Sequence, residues 1–179
     1  MKTTQHVRRF FPSLLLVIAC IGMSCKQVSQ AIDNLLTFDI ERSNEIPITP
    51  TVPPEGFLFT LPGIPIPVDS AELAKNKTAT GLVKTLKLTK LVFTPDDPLY
   101  PMTNIDTIRV AAGTDSLSAK LLGTYSGKMN MVMLTGTDFS DVIKKPNGKF
   151  FLTFQVKKSP SHDIKIKTDY TLTFTADPF

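Results

Sequence analysis

The chain has no tryptophan, two cysteines (Cys20 and Cys25) and two histidines (His6 and His162). So few cysteines exclude a disulfide scaffold, and any folded domain must stand on its apolar core. One histidine beyond the N-terminal segment, with no spare cysteine, is too few ligands for a zinc site within the chain. Glutamate is scarce: Glu41, Glu45, Glu55 and Glu72 are all there are, so an enzyme working with paired carboxylates, such as a glycosidase, has little to draw on. No apolar run reaches the roughly 20 residues a spanning helix needs. There is no glycine-rich phosphate loop and no interleaving of basic and aromatic residues for nucleic acid. Asp96, Asp97 and Asp106 are the one local group of acids a calcium ion could use. Asp96-Asp97 lies between Pro95 and Pro98 and reads more simply as a turn. These absences predict no metal, no cofactor, no nucleic-acid partner and no catalytic residues. Ser159 or Ser161 with His162 and Asp163 could be imagined as a hydrolytic triad. Neighbours on one turn do not give the preorganised, partly buried arrangement a triad requires, and a solvated polar turn is the expectation.

What is present begins with Met1 to Lys26. Lys2, Arg8 and Arg9 make a basic head, Phe10 to Ser24 is apolar apart from Ser13 and Ser24, and Cys25 is followed by polar Lys26-Gln27. A charged region, a short apolar run and a small residue at the end form the order of a secretory leader. The leader resembles those of bacterial lipoproteins, in which a cysteine after a small residue is diacylated through its sulfur and becomes the new N-terminus. Gly22-Met23-Ser24-Cys25 supplies that pattern where the apolar run stops. Val17-Ile18-Ala19-Cys20 is the alternative and leaves apolar residues after the cut. The resemblance implies lipidation at Cys25, a leader over residues 1–24, a tether over 25–34 and a domain over 35–179. Several acyl chains give stable membrane attachment. The formal net charge is +4, and the leader carries three of those charges without an acid. The remaining chain is nearly neutral and offers no electrostatic case for nucleic acid.

From Leu36 the pattern is β. Leu36, Phe38 and Ile40 alternate with Thr37, Asp39 and Glu41, the period of a half-buried strand. Seven of the 14 prolines fall between Pro47 and Pro67. Proline cannot donate to a ladder, so this passage belongs at an edge or in extended loops, with one edge strand near residues 56–61. Asp69-Ser70-Ala71-Glu72 reads as a helix start. Leu86 and Leu88 have one parity, Leu91 and Phe93 the other, which predicts a bulge near Thr89-Lys90 or burial on both faces. Further strands are expected around Ile108–Val110, Leu121–Leu122 and Met129–Leu134. Phe139, Val142 and Ile143 mark one helical turn. Phe150 to Val156 and Ile164 to Phe174 alternate most clearly and predict a terminal hairpin.

These elements predict an all-β fold, a two-sheet antiparallel β-sandwich of immunoglobulin-like architecture. It would have seven to eight strands and one or two short helical turns. The pattern also resembles a group of Bacteroidetes-type cell-envelope lipoproteins. The likeness rests on the proline-rich passage, on Leu86-Lys87-Leu88-Thr89-Lys90-Leu91, and on a closing strand of the form Lys-Ile-Lys-x-x-Tyr-x-Leu-x-Phe. It implies an immunoglobulin-like or late-embryogenesis-abundant-14-like sandwich and no activity. In that group an acidic run after the cysteine marks export to the outer face. Lys26-Gln27-Val28-Ser29-Gln30 has none, so anchoring to the outer membrane on its periplasmic face is implied. Asp69-Ser70-Ala71, Asp106-Thr107-Ile108 and Asp115-Ser116-Leu117 resemble the O-glycosylation tripeptide of Bacteroidetes exported proteins, which implies Ser70, Thr107 and Ser116 as acceptors.

Three functions follow in order of expectation. The first is a non-enzymatic binding or adaptor module for an unknown envelope protein or glycan, held to the membrane by its N-terminal lipid. The second is a structural subunit of a surface or fimbria-like assembly that exchanges a strand. The third, a carboxylate enzyme, ranks last.

Overall fold

The structure, a computed structural model, describes residues 36–50 and 58–178. The leader, Cys20, Cys25, the tether and Glu55 lie outside those residues. The chain runs through β1 (Thr37–Ile48), β2 (Leu58–Thr60), β3 (Ile64–Pro65), α1 (Ser70–Lys75), β4 (Val83–Pro95), β5 (Ile105–Gly113), β6 (Lys120–Ser126), β7 (Met131–Leu134), α2 (Ser140–Ile143), β8 (Lys149–Val156) and β9 (Ile164–Ala176). A three-stranded sheet has the order β1-β9-β4. A six-stranded sheet has the order β2-β8-β5-β6-β7, with β3 also paired to β8. Every pairing is antiparallel. The expected sandwich is the fold. The strands number nine rather than seven or eight, because Ile64–Pro65 makes a two-residue strand inside the proline-rich passage.

β1 continues past the expected Glu41 and includes Pro47. It tolerates that proline because it pairs only with β9, on one side. Ile40, Ile46 and Ile48 are buried inward. Arg42 and Asn44 share their parity and are satisfied at the rim of the core: Arg42 pairs with Glu72 of α1, and the Asn44 amide donates to the Tyr170 hydroxyl at 3.3 Å. The helix start is as expected, with Asp69 accepting from the Ala71 N–H at 2.9 Å. β4 carries the expected bulge. Its register with β9 shifts between Leu88 and Lys90, so Leu86, Leu88, Leu91 and Phe93 are all buried on one face.

The expected terminal hairpin does not form. β8 pairs with β5, β2 and β3, whereas β9 pairs with β1 and β4, in the other sheet. Their apolar faces meet across the core instead. Phe150 of β8 stands edge-on to Tyr170 of β9 with ring centroids 5.8 Å apart. The connecting segment crosses between the sheets and is fastened there. The Lys157 and Lys158 N–H groups donate to the Asn104 carbonyl at 2.8 and 3.0 Å, and the Tyr100 hydroxyl donates to the Lys158 carbonyl at 2.5 Å. Burial pushes the Tyr100 phenol up to about 12. Alternation reports which side of a strand is buried; it does not report the neighbouring strand.

Aromatic pairs also stack between neighbouring strands within each sheet. Phe38 stacks on Phe174 at 5.2 Å and Phe59 on Phe154 at 5.3 Å. Between the sheets a slot of about 30 Å³ is lined chiefly by Ile46, Leu88, Leu91, Val110 and Leu152, with Asn44, Thr168 and Tyr170 as its polar lining. That is room for about one or two waters.

Candidate functional site

The outer face of the six-stranded sheet is set by parity. Ile108, Leu122, Tyr125, Leu152 and Phe154 point into the core, so their neighbours in sequence point out. Cross-strand register arranges those neighbours in three rows. One row reads Thr60, Thr153, Arg109, Thr124, Met133 across five strands. The second reads Leu58, Gln155, Thr107, Ser126, Met131. The third is Phe151, Ala111, Leu121. Leu58, Leu121, Met131 and Met133 are large, apolar and 42–54% exposed. Thr60 and Thr153 bond hydroxyl to hydroxyl at 2.9 Å. Arg109 is the one charged residue in these rows, and among the described residues it forms no ion pair. The result is a platform of apolar and hydroxyl groups around a single unsatisfied cation. Met131 and Met133 sit together at the β7 edge and Leu58 at the β2 edge, and methionine adapts to varied partners.

The outer face of the three-stranded sheet has a different chemistry. Lys165 bonds Glu45 at 2.7 Å, Lys167 bonds Asp169 at 3.0 Å, and the Thr173 hydroxyl donates to Asp39 at 2.5 Å. The Glu45 partnership raises the Lys165 pKa. Hydrogen bonds from Ser43 and Lys167 hold the Asp169 carboxyl below its ordinary value.

The residues singled out in the sequence are scattered. Ser70 is exposed at the start of α1. Ser116 is exposed in the loop between β5 and β6. There the Asp115 carboxylate accepts from the Leu117 and Ser118 N–H groups at 3.0 and 2.9 Å, and from the Ser118 hydroxyl at 2.5 Å. The Ser118 bonds lead in holding the Asp115 pKa down. Thr107 is half-buried in the row of Gln155 and Ser126, beside that of Arg109. Cys25 and Cys20 lie outside the described residues.

The Ser161 hydroxyl lies 3.2 Å from His162 Nδ1. The carboxylate at Nε2 is that of Asp97, 3.3 Å away, and not Asp163. The ring is 60% exposed. Asp96 accepts from the Lys165 N–H at 2.8 Å and Asp97 from the Leu99 N–H at 2.8 Å. This cluster ties the crossing loop to the turn after β4. Among the described residues no three His, Cys, Asp or Glu side chains gather as a metal site would require, and no helix is long and apolar enough to cross a membrane.

Sequence reasoning missed the platform. Its signal was there in the outward parity of Met131 and Met133, but a face becomes visible only once β7, β6, β5, β8 and β2 are known to be neighbours. Comparison with known protein families, with curated proteins and with solved structures gives no match.

Proposed function

We propose that this chain is a lipid-anchored cell-envelope protein whose domain acts as a non-enzymatic binding or adaptor module for a protein or glycan. The anchor is at Cys25, with Cys20 the alternative, on the periplasmic face of the outer membrane, and the domain would work without a cofactor. The observation that carries the binding reading is the contrast between the two outer faces. One interleaves charges of both signs, with Glu45–Lys165 and Asp169–Lys167 paired; the other presents Arg109, with no carboxylate partner among the described residues, between Thr153 and Thr124, with Leu58 at one edge and Met131 and Met133 at the other. A partner supplying an acidic group at the centre and apolar contacts around it would complement this platform.

A photo-crosslinking residue at Thr153, on the platform, tests this against one at Thr173, on the opposite face. The expected result is a discrete adduct in envelopes from the Thr153 position only, lost on Arg109→Glu. Adducts from Thr173 alone, or a pattern indifferent to Arg109→Glu, overturn it. The mass of the membrane-extracted N-terminus tests the anchor: an acylated Cys25 or Cys20 is expected, and an unmodified Met1 overturns it.

The second reading, a structural subunit of a surface or fimbria-like assembly, draws on one strand edge that lacks the protection of the others.

A further inference from the structure

Four sheet edges end this sandwich, and three are guarded. β1 carries Asp39, Glu41, Arg42, Glu45 and Pro47. β2 and β3 are two or three residues long and sit among Pro62, Pro65 and Pro67. β4 is capped: the Leu86 N–H donates to Asp138 at 2.9 Å, the Leu86 carbonyl accepts from the Phe139 N–H at 3.0 Å, and the Ser140 hydroxyl donates to the Lys84 carbonyl at 3.0 Å. Charge, proline, brevity and covering are the usual devices against edge-to-edge pairing. β7 is short, and β4 of the other sheet passes close to it without pairing. From Met129 to Thr137 there is neither a charge nor a proline.

The direction of its free groups follows from the register. Thr135 N–H donates to the Leu122 carbonyl at 3.0 Å, continuing the pairing of Leu134 with Gly123 and Met133 with Thr124. In an antiparallel ladder alternate residues face the partner strand. Met131, Met133 and Thr135 therefore bond toward β6. Val132 and Leu134 turn their N–H and C=O groups to the other side, where no strand pairs among the described residues.

We propose that β7 pairs antiparallel with β7 of a second copy of this chain, about a two-fold axis at Met133. Val132 then exchanges hydrogen bonds with Leu134 of the other copy and Leu134 with Val132, about four bonds in all. Met133 faces its own counterpart on the outer face. Charge supports a second copy as the occupant. In this register the first charged residues flanking the segment are of opposite sign: Lys128 of each copy approaches the end that carries Asp138 and Asp141 of the other. No like charges meet between them. The contact is small, so the dimer is weak and reversible. It is also isologous and closes on itself, so it deepens the assembly reading toward a closed pair instead of a fibre. It shares Met131 and Met133 with the rim of the platform but requires no partner bound there.

The test is cysteine crosslinking of the full chain in its membrane. At the two-fold axis Met133 forms a non-hydrogen-bonded pair with Cα atoms about 4.5 Å apart, within the range a disulfide accepts. Mild oxidation of the Met133→Cys chain should give a disulfide dimer well above the wild-type background. Thr124→Cys, on the same face one strand inward, should give none. Val132→Pro removes an outward N–H and leaves the β6 ladder intact, so it should abolish the Met133→Cys dimer. Met131→Lys, which puts a charge on the edge without touching the backbone, should reduce it several-fold if the proline variant fails to fold. No dimer above background, equal crosslinking from Thr124→Cys, a ladder of higher species, or a yield indifferent to both edge substitutions overturns the proposal. A monomer that crosslinks only to a different protein overturns it as well.

Discussion

The two sheets of this sandwich divide their work along strand length. The three-stranded sheet is built from strands of 12, 13 and 13 residues, and its outer face pairs lysines with carboxylates and threonine hydroxyls. The longest strand of the six-stranded sheet has nine residues, and its outer face leaves methionine, leucine and one arginine open. Both bury apolar inner faces. The sharper difference lies outside the core: one outer face mixes charges of both signs, and the other carries Arg109 as its single charge among threonines, leucines and methionines.

The largest effect should come where the sheets are alike. Phe154→Ala and Phe174→Ala each remove a fully buried ring and should each cost about 3–5 kcal/mol. Denaturant unfolding should be a single transition in both variants. Two transitions would mean that the sheets are separate units, and the comparison would have to be redrawn.

Next is the place where the sheets are fastened. Burial raises the Asp138 pKa, but the bonds from the Leu86 and Ser140 N–H groups and the Ser140 hydroxyl, helped by Lys120, outweigh it and hold the carboxyl below its ordinary value. A depressed carboxyl contributes stability that is present above its unfolded pKa and is lost as pH falls through the folded value. Asp138→Ala should cost about 1–3 kcal/mol near neutral pH. The gap from wild type should close as the pH falls into the acid range. A gap that persists in acid would show that packing, not the charge, holds β4 to α2.

A smaller change of opposite sign is expected inside the three-stranded sheet. Among the described residues the buried Thr168 hydroxyl finds no hydrogen-bond partner, and it lines the slot between the sheets. Thr168→Val should stabilise by about 1 kcal/mol. A loss of stability would mean that the slot holds a water bonded to that hydroxyl. The smallest effects belong to the surface. Glu45→Gln should lower the thermal midpoint slightly in dilute buffer and not at all in concentrated salt, since exposed pairs are screened. Met131→Lys should leave the midpoint within error while changing what the face binds.

Much of the sandwich was legible because burial imposes a period of two. Leu86 and Leu88 against Leu91 and Phe93 exposed the bulge, and Asp69 exposed the start of α1. What stayed hidden was adjacency. Phe150–Val156 and Ile164–Phe174 look like a hairpin because each alternates, yet the polar segment between them serves equally well as a crossing between sheets. The platform was hidden for the same reason: Leu58, Arg109 and Met133 lie far apart in the sequence, and only strand order makes them neighbours. The His162–Asp97 contact joins residues from distant loops, so local reading could not find it.

The central strand of the smaller sheet has a kinetic consequence. β1 and β4 do not pair with each other; each pairs with β9, which is synthesised long after both. Until β9 emerges, two long strands have no partner, and loop closure over such separations is slow. A polypeptide with this wiring cannot complete its smaller sheet until its keystone strand arrives.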